Sequence, residues 1–273
     1  MARVLTRNLA TRVATGAVVL PLLVAAFFLG PPWLGVGIIA AACALAFHEY
    51  AALLRARGLA PVALAGVIVL VTTFVEVAWP TIGAPLLPLA VVAGVGFALQ
   101  RAGTMESSLT AAATTFFGAA YLGALGGCMA GLLLLPPVQE GPWRIVLLMA
   151  VIMTSDSAAL FAGQLWGRRK LAPAVSPGKT VAGAIGALVG ALPPALLVRT
   201  YGLPLIPVRD AVLLGLGVAV AGLIGDLAES LMKRWAGIKD SGTLFPGHGG
   251  MLDRLDSLLF GAPVLYYYFL LAR

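Results

Sequence analysis

The sequence predicts an all-α, polytopic membrane protein: a bundle of about nine transmembrane helices with its N-terminus in the cytoplasm. Three observations carry this. Sixty per cent of the 273 residues are hydrophobic, eleven per cent are charged and the mean hydropathy is +1.00, whereas about a quarter of the residues of a soluble domain are charged. Apolar windows recur along the whole chain, and about 20 such residues make a helix that crosses a hydrocarbon core of roughly 30 Å. The basic residues, finally, divide between the connections as one membrane orientation requires.

The first window, 13–30, follows Arg3, Arg7 and Arg12 and has the outline of a secretory signal. It runs into Gly30-Pro31-Pro32 and a second apolar segment with no small-residue cleavage pattern, so we read it as a retained span. Breaks at Pro, Gly and charge then delimit 33–54, 61–79, 81–99, 108–135, 143–166, 179–199, 208–231 and 257–272. The fourth window is rich in Pro and Gly and the last is short. With the N-terminus inside, cytoplasmic segments hold fourteen basic residues (Arg3, Arg7, Arg12, Arg55, Arg57, Arg101, Arg168, Arg169, Lys170, Lys179, Lys233, Arg234, Lys239 and Arg254) and outer segments hold four, Arg144, Arg199, Arg209 and Arg273. That asymmetry supports both the orientation and the odd number of spans. We expect one membrane domain over 1–273, with apolar spans in 1–140 and the catalytic part in 141–273. The latter contains the two long polar cytoplasmic loops, 167–178 and 232–256.

Several function classes drop out. A net charge of +7 without a long basic patch interleaved with aromatics argues against nucleic acid. Cys43 and Cys128 lie in apolar stretches without CxxC spacing, and read as small buried hydrophobes. His48-Glu49-Tyr50, near the cytoplasmic end of the second span, reads as a structural polar cluster paired with Arg55 or Arg57. Small residues at three- and four-residue spacing, as in 183–187, let helices pack closely.

The chemistry concentrates at the end of the eighth span. Of eleven acidic residues, Asp226, Glu229, Asp240, Asp253 and Asp256 fall within 225–257. On a helix, Asp226, Glu229 and Lys233 share one face, as do Asp253 and Asp256, so two carboxylate-bearing helix ends face each other across a loop. An acid inside the membrane boundary is costly unless it is paired or binds a cation. Pairing of Asp226 or Glu229 with Lys233 or Arg234 is the structural alternative. Acids from two elements with Lys and Arg beside them describe a site for Mg²⁺ and phosphate, Asp226 and Asp253 being the cation ligands. Pro246-Gly247-His248-Gly249-Gly250 adds backbone able to approach an anion. From spacing alone His248 is a base, a phosphate donor or a polar loop residue.

The segment SLMKRWAGIKDSGTLFPGHGGMLDRLDS, residues 230–257, resembles the motif of the phosphatidate cytidylyltransferase family: Ser, Lys-Arg, Lys-Asp, Pro-x-His-Gly-Gly and Asp-Arg-x-Asp. A second block is similar to the family's upstream stretch: Asp156-Ser157-Ala158-Ala159, Gly163, Leu171-Ala172-Pro173 and Ser176-Pro177-Gly178-Lys179-Thr180. It departs at Leu160, where the family more often has Tyr, and at Val181 and Ala182, where Trp and Glu are common. Gly178-Lys179-Thr180 is not a nucleotide P-loop, because the pattern's first glycine would fall at Pro173 and no strand is predicted before it.

The resemblance implies transfer of the cytidylyl group of CTP to phosphatidic acid, giving CDP-diacylglycerol and pyrophosphate. It assigns Asp226, Asp253, Lys233, Arg234, Lys239, Asp240, His248 and Asp256 to catalysis. Asp156, Ser176, Lys179, Thr180, Ser230, Gly249, Gly250 and Arg254 are assigned to substrate contact. The cofactor implied is Mg²⁺ with a monovalent cation such as K⁺, and the setting is a homodimer in a bacterial inner membrane with its site on the cytoplasmic face, open sideways to membrane lipids. An ion-coupled transporter would use Asp156, Asp226 and Glu229 as coupling sites and would show two related halves, which the sequence lacks. A CDP-alcohol phosphatidyltransferase would need a DGxxAR run, also absent.

Overall fold

The fold was analysed in a computed structural model. It describes residues 18–80, 105–238 and 250–272, with the isolated positions 88, 92 and 96. The described chain is helical throughout except for one small hairpin. Its helices are α1 (Val18–Leu29), α2 (Pro32–Ala56), α3 (Ala63–Ala78), α4 (Met105–Leu134), α5 (Gly141–Trp166), α6 (Val181–Tyr201), α7 (Val208–Ala236) and α8 (Leu252–Leu271). Five of them are long and apolar enough to cross a membrane, α5 counted with the 3₁₀ turn before it. Their outer faces carry large exposed apolar side chains such as Phe117, Phe161, Leu197 and Leu213. The chain is an integral membrane protein with an all-α bundle, as its composition requires.

Each predicted window apart from the fourth becomes a helix with bounds shifted by a few residues; 81–99 lies almost wholly outside the described residues. Local chemistry sets the ends. Pro32 opens α2 at a position whose N–H no helix bond needs. Thr180 caps α6, its Oγ1 accepting from Gly183 N at 3.0 Å. Gly237, at φ 74°, stops α7 in the left-handed conformation, and Lys233 and Arg234 occupy its last turn, where the carbonyl ends favour cations.

Two expectations need correction. The stretch 167–178 is not simply a loop: Lys170–Ala172 (β1) and Ser176–Thr180 (β2) pair antiparallel, Lys170 opposite Thr180 and Ala172 opposite Ser176. Gly178-Lys179-Thr180 therefore lies in a strand that feeds directly into α6, with no loop between strand and helix to wrap a phosphate. The stretch 232–256 is shorter than predicted as a connection, because α7 continues to Ala236 and α8 begins at Leu252.

α4 runs through the middle of the bundle and packs on α2, α3 and α8, while α5 lies along α6 and α7 along α8. One apolar core joins them. Cys43 and Cys128 are buried in it as free thiols, as the sequence suggests. Arg144, expected in an outer segment, is buried: its guanidinium donates to the carbonyls of Leu135 (2.6 Å) and Pro136 (3.2 Å), pairs with Glu140 (2.9 Å) and lies over the Phe269 ring. These partners replace the water that the charge leaves.

Candidate active site

Three helical stripes and the hairpin enclose a cavity of about 510 Å³. α5 contributes Asp156, Ala159, Leu160, Gly163, Gln164 and, just beyond its end, Gly167; α6 contributes Gly183, Ala184 and Ala187; α7 contributes Ala219, Gly222, Leu223 and Asp226. Each set follows the three- and four-residue spacing of one helix face. Lys170, Leu171, Gly178, Lys179 and Thr180 bring the hairpin to the wall. It docks closely because Gly163 has no side chain: a Cβ there would lie 3.1 Å from Thr180 Oγ1.

The wall is apolar except for a few convergent groups. Lys179 Nζ forms an ion pair with Asp226 Oδ2, so β2 is tied across the cavity to α7. Ser230 Oγ, one turn on, lies 3.5 Å from the other Asp226 oxygen. Asp156 shares the cavity with Asp226, so that two carboxylates and two lysines, Lys170 and Lys179, line it. Ser155 is 3% exposed and its Oγ has no hydrogen-bond partner among the described residues.

A second cluster adjoins the first along α7. Lys233 Nζ donates to Glu229 Oε2 and to Asp253 Oδ1, both at 2.7 Å, and Asp253 Oδ2 accepts from Gly250 N at 2.9 Å. The lysine thus joins α7 to α8, the two helix ends that the sequence places face to face. Glu229 is 2% exposed. Asp256 is buried behind this cluster and accepts from Ser257 N at 2.6 Å; its backbone lies so close to Gly225 that a Cβ on that glycine would overlap it.

The structure therefore gathers Asp156, Lys179, Thr180, Asp226 and Ser230 at the cavity, and Lys233, Asp253 and Gly250 one turn away. Arg234 reaches the hairpin turn, with Nε 3.5 Å from the Val175 carbonyl. Ser176 starts β2 outside the cavity lining, and Arg254, exposed on α8, lies near enough to Asp156 to interact with its charge. Lys239, Asp240, His248 and Gly249 lie outside the described residues. The pairing of Glu229 with Lys233 is the structural alternative weighed from sequence, and it holds for that acid, whereas Asp226 turns to a lysine from another element. Sequence reasoning missed Ser155, Gln164 and Lys170, although Ser155 directly precedes a singled-out acid.

Glu49 has partners that its sequence neighbourhood does not suggest: Oε1 accepts from Met251 N at 2.9 Å and Oε2 from Leu252 N at 2.8 Å.

The sequence profile of the cytidylyltransferase family matches residues 10–272. The chain belongs to that family. Among curated relatives, the chain is 43% identical over 141 residues to the uncharacterized protein YnbB of Escherichia coli K12, covering 51% of this chain and 47% of that one. It is 45% identical over 129 residues to the phosphatidate cytidylyltransferase of Bacillus subtilis 168, covering 47% and 48%. With the phosphatidate cytidylyltransferase of Haemophilus influenzae Rd it shares 39% over 134 residues, covering 48% and 46%. The chain thus spans about half the length of the curated relatives it matches. The match covers all of α1 to α8, including the first apolar helices, which hold none of the polar motifs of the C-terminal part.

Proposed function

We propose that this protein transfers the cytidylyl group of CTP to phosphatidic acid, forming CDP-diacylglycerol. The observation that carries this reading is the cavity in which Lys179 and Asp226 meet opposite Asp156, one helical turn from the Lys233, Glu229 and Asp253 cluster. Membership of the cytidylyltransferase family and the named phosphatidate cytidylyltransferases among its relatives support it.

In the reaction a phosphate oxygen of phosphatidic acid attacks the α-phosphorus of CTP. A new P–O bond forms as the bond to the β-phosphate bridging oxygen breaks, and pyrophosphate leaves with its electron pair. The lipid phosphate is already an anion, so no strong base is needed, and positioning with charge neutralisation supplies most of the rate. Lys179, now held by Asp226, swings to a phosphate when substrate enters, and Thr180 and Gly178 line its approach. Lys233 and Arg234 add positive charge at the α7 end. Leu160 both lines the cavity and is largely exposed on the apolar outer face of α5. The cavity thereby reaches the lipid side, where acyl chains remain in the bilayer while CTP comes from water.

The donors suit Mg²⁺. Among the described residues no three metal-ligating side chains cluster, and Mg²⁺ is commonly bound by one or two carboxylates together with substrate phosphate and water. Asp226, with about a third of its side chain open, and Asp253 would hold it, with a monovalent cation such as K⁺ nearby. Bound there, it would offset charge on the triphosphate. We further place the chain as a homodimer in a bacterial inner membrane, with nine spans, an inner N-terminus and the cavity at the cytoplasmic interface.

The test is CTP-dependent formation of CDP-diacylglycerol by purified protein in micelles containing phosphatidic acid, with and without Mg²⁺. Asp226→Asn is expected to lower kcat by about a thousandfold while the protein stays folded. A folded wild type inactive with both CTP and dCTP would end this reading and turn attention to ion transport.

A further inference from the structure

The strongest unassigned feature lies in the half of the molecule that the chemistry does not otherwise use. Glu49 sits on α2, in an apolar helix, and is 8% exposed. A buried carboxylate needs strong partners. It finds them 202 and 203 residues away, in the N–H groups of Met251 and Leu252 at the start of α8.

α8 begins without a side-chain cap of its own, Met251 being its N-cap residue. The first N–H groups of a helix have no intrahelical partner, and a negative charge there is favoured by the helix dipole. Glu49 supplies both the acceptors and the charge from another helix. Three successive amides, Gly250, Met251 and Leu252, are in this way taken by two carboxylates, the first by Asp253 and the next two by Glu49. The following residue is Asp253 itself, whose second oxygen holds Lys233. Glu49 is anchored in turn: Tyr50, beside it, donates through its hydroxyl to the Thr114 carbonyl of α4 at 2.9 Å, and its ring fills the space left by Gly118.

We infer that Glu49 is a positioning residue for the proposed reaction, fixing the entry of α8 so that Asp253 and Lys233 meet in the reactive geometry. It touches no substrate and acts through the 250–252 backbone. This inference rests on the reaction proposed above. The bland alternative is that Glu49 only docks α2 against α8.

The two differ in kinetics and in local protection. Purified wild type, Glu49→Gln, Glu49→Ala and Tyr266→Phe are compared for kcat and KM for CTP, for thermal unfolding, and for amide hydrogen exchange over 250–258. Tyr266→Phe is the control, because it removes a hydrogen bond from the other half of α8, to the Val77 carbonyl at 2.8 Å. Glu49→Gln keeps the shape but offers an acceptor to only one of the two amides. Small displacements of catalytic groups cost up to about a hundredfold in rate; kcat should therefore fall about tenfold in Glu49→Gln and about a hundredfold in Glu49→Ala, with KM within about threefold. Exchange at Met251 and Leu252 should speed up while 259–270 stays protected, and Tyr266→Phe should keep its kcat within about twofold at a comparable loss of thermal stability.

A wild-type kcat in Glu49→Gln overturns the inference, as does a loss of rate that follows unfolding temperature equally in all variants. If neither Glu49 variant folds, exchange in the wild type decides: unprotected Met251 and Leu252 amides would refute the contact itself. Failure of the underlying reaction looks different, since the wild type would then make no CDP-diacylglycerol.

Discussion

Each half of the bundle holds a seam built on small residues, and the two seams work differently. Around α2, glycines receive large side chains from neighbouring helices: a Cβ on Gly118 would collide with the Tyr50 ring, one on Gly66 with the Phe47 ring, one on Gly35 with Leu133 and Phe27. Where α6 meets α5 and α7 they face backbone or alanine instead. Gly186 lies against Ala162 and the Ala158 carbonyl, Gly190 against Ala158 and the Thr154 carbonyl, and Gly215 against Ala195 and the Ala191 carbonyl. The first arrangement fills space. The second brings α6 close against α5 and α7 without bulky side chains at those contacts, which leaves room beside the seams for the 510 Å³ cavity. A Gly- and Ala-rich composition is thus neutral as a signal, and what the glycine meets decides whether it builds scaffold or pocket.

The contrast is tested most severely by the paired charges in the interior of the second half. Lys233→Met strands Glu229, 2% exposed, and removes a partner of Asp253. Breaking a buried pair by removing one member costs about 3–5 kcal/mol, and adding Glu229→Gln should restore part of that stability without restoring activity. Lys179→Met removes the more open bridge to Asp226, whose side chain is 36% exposed, and exposed pairs are worth about 0–1 kcal/mol. Denaturation in the same micelles should separate the two lysines by at least about 2 kcal/mol, although both variants lose turnover. Equal stability losses would mean that Lys233 is no more structural than Lys179.

The seams come next in size. Gly186→Ala places a methyl against Ala162 and the Ala158 carbonyl, and overpacking of this kind costs about 1–3 kcal/mol. Ala162→Gly should recover about half in the double variant, because the carbonyl contact at 2.9 Å remains. Strict additivity of the two substitutions in thermal unfolding would show that the seam is not a steric fit, and the distinction between the halves would lose its basis.

These contacts mark the boundary of what the sequence discloses. Helix positions were legible because lipid imposes long apolar windows, which is why 33–54 emerges as Pro32–Ala56 and 143–166 as Gly141–Trp166. The acids and lysines of the site were legible as residue types, and the α7 spacing correctly put Glu229 beside Lys233. The hairpin was not, since strands of three and five residues at an interface show no alternation to read. Nor was the partner of Glu49: local spacing offers Arg55 and Arg57, and nothing in the chain between 49 and 251 signals the long-range choice. Lys179 was singled out, yet its attachment to Asp226 depends on how far the hairpin leans over α7, a property of packing alone.

The smallest expected effect on stability belongs to Ser155, and it discriminates best between scaffold and pocket. On α5 the neighbouring hydroxyls of Thr154 and Ser157 donate back to the carbonyls of Ala150 and Met153 at 2.6 and 2.8 Å. Ser155 has no such bond among the described residues, although it is buried and on the cavity wall. An unpaired buried hydroxyl contributes nothing to folding, and removing it is neutral or slightly favourable. Ser155→Ala should therefore leave the unfolding temperature unchanged or a little higher. If the hydroxyl serves an oxygen of the bound substrate, the same variant should raise KM by about tenfold, the value of one hydrogen bond of about 1.5 kcal/mol to a charged group. A lowered unfolding temperature would mean that the hydroxyl has a partner inside the protein, and an unchanged KM that the cavity binds its ligand without reaching α5 at this depth.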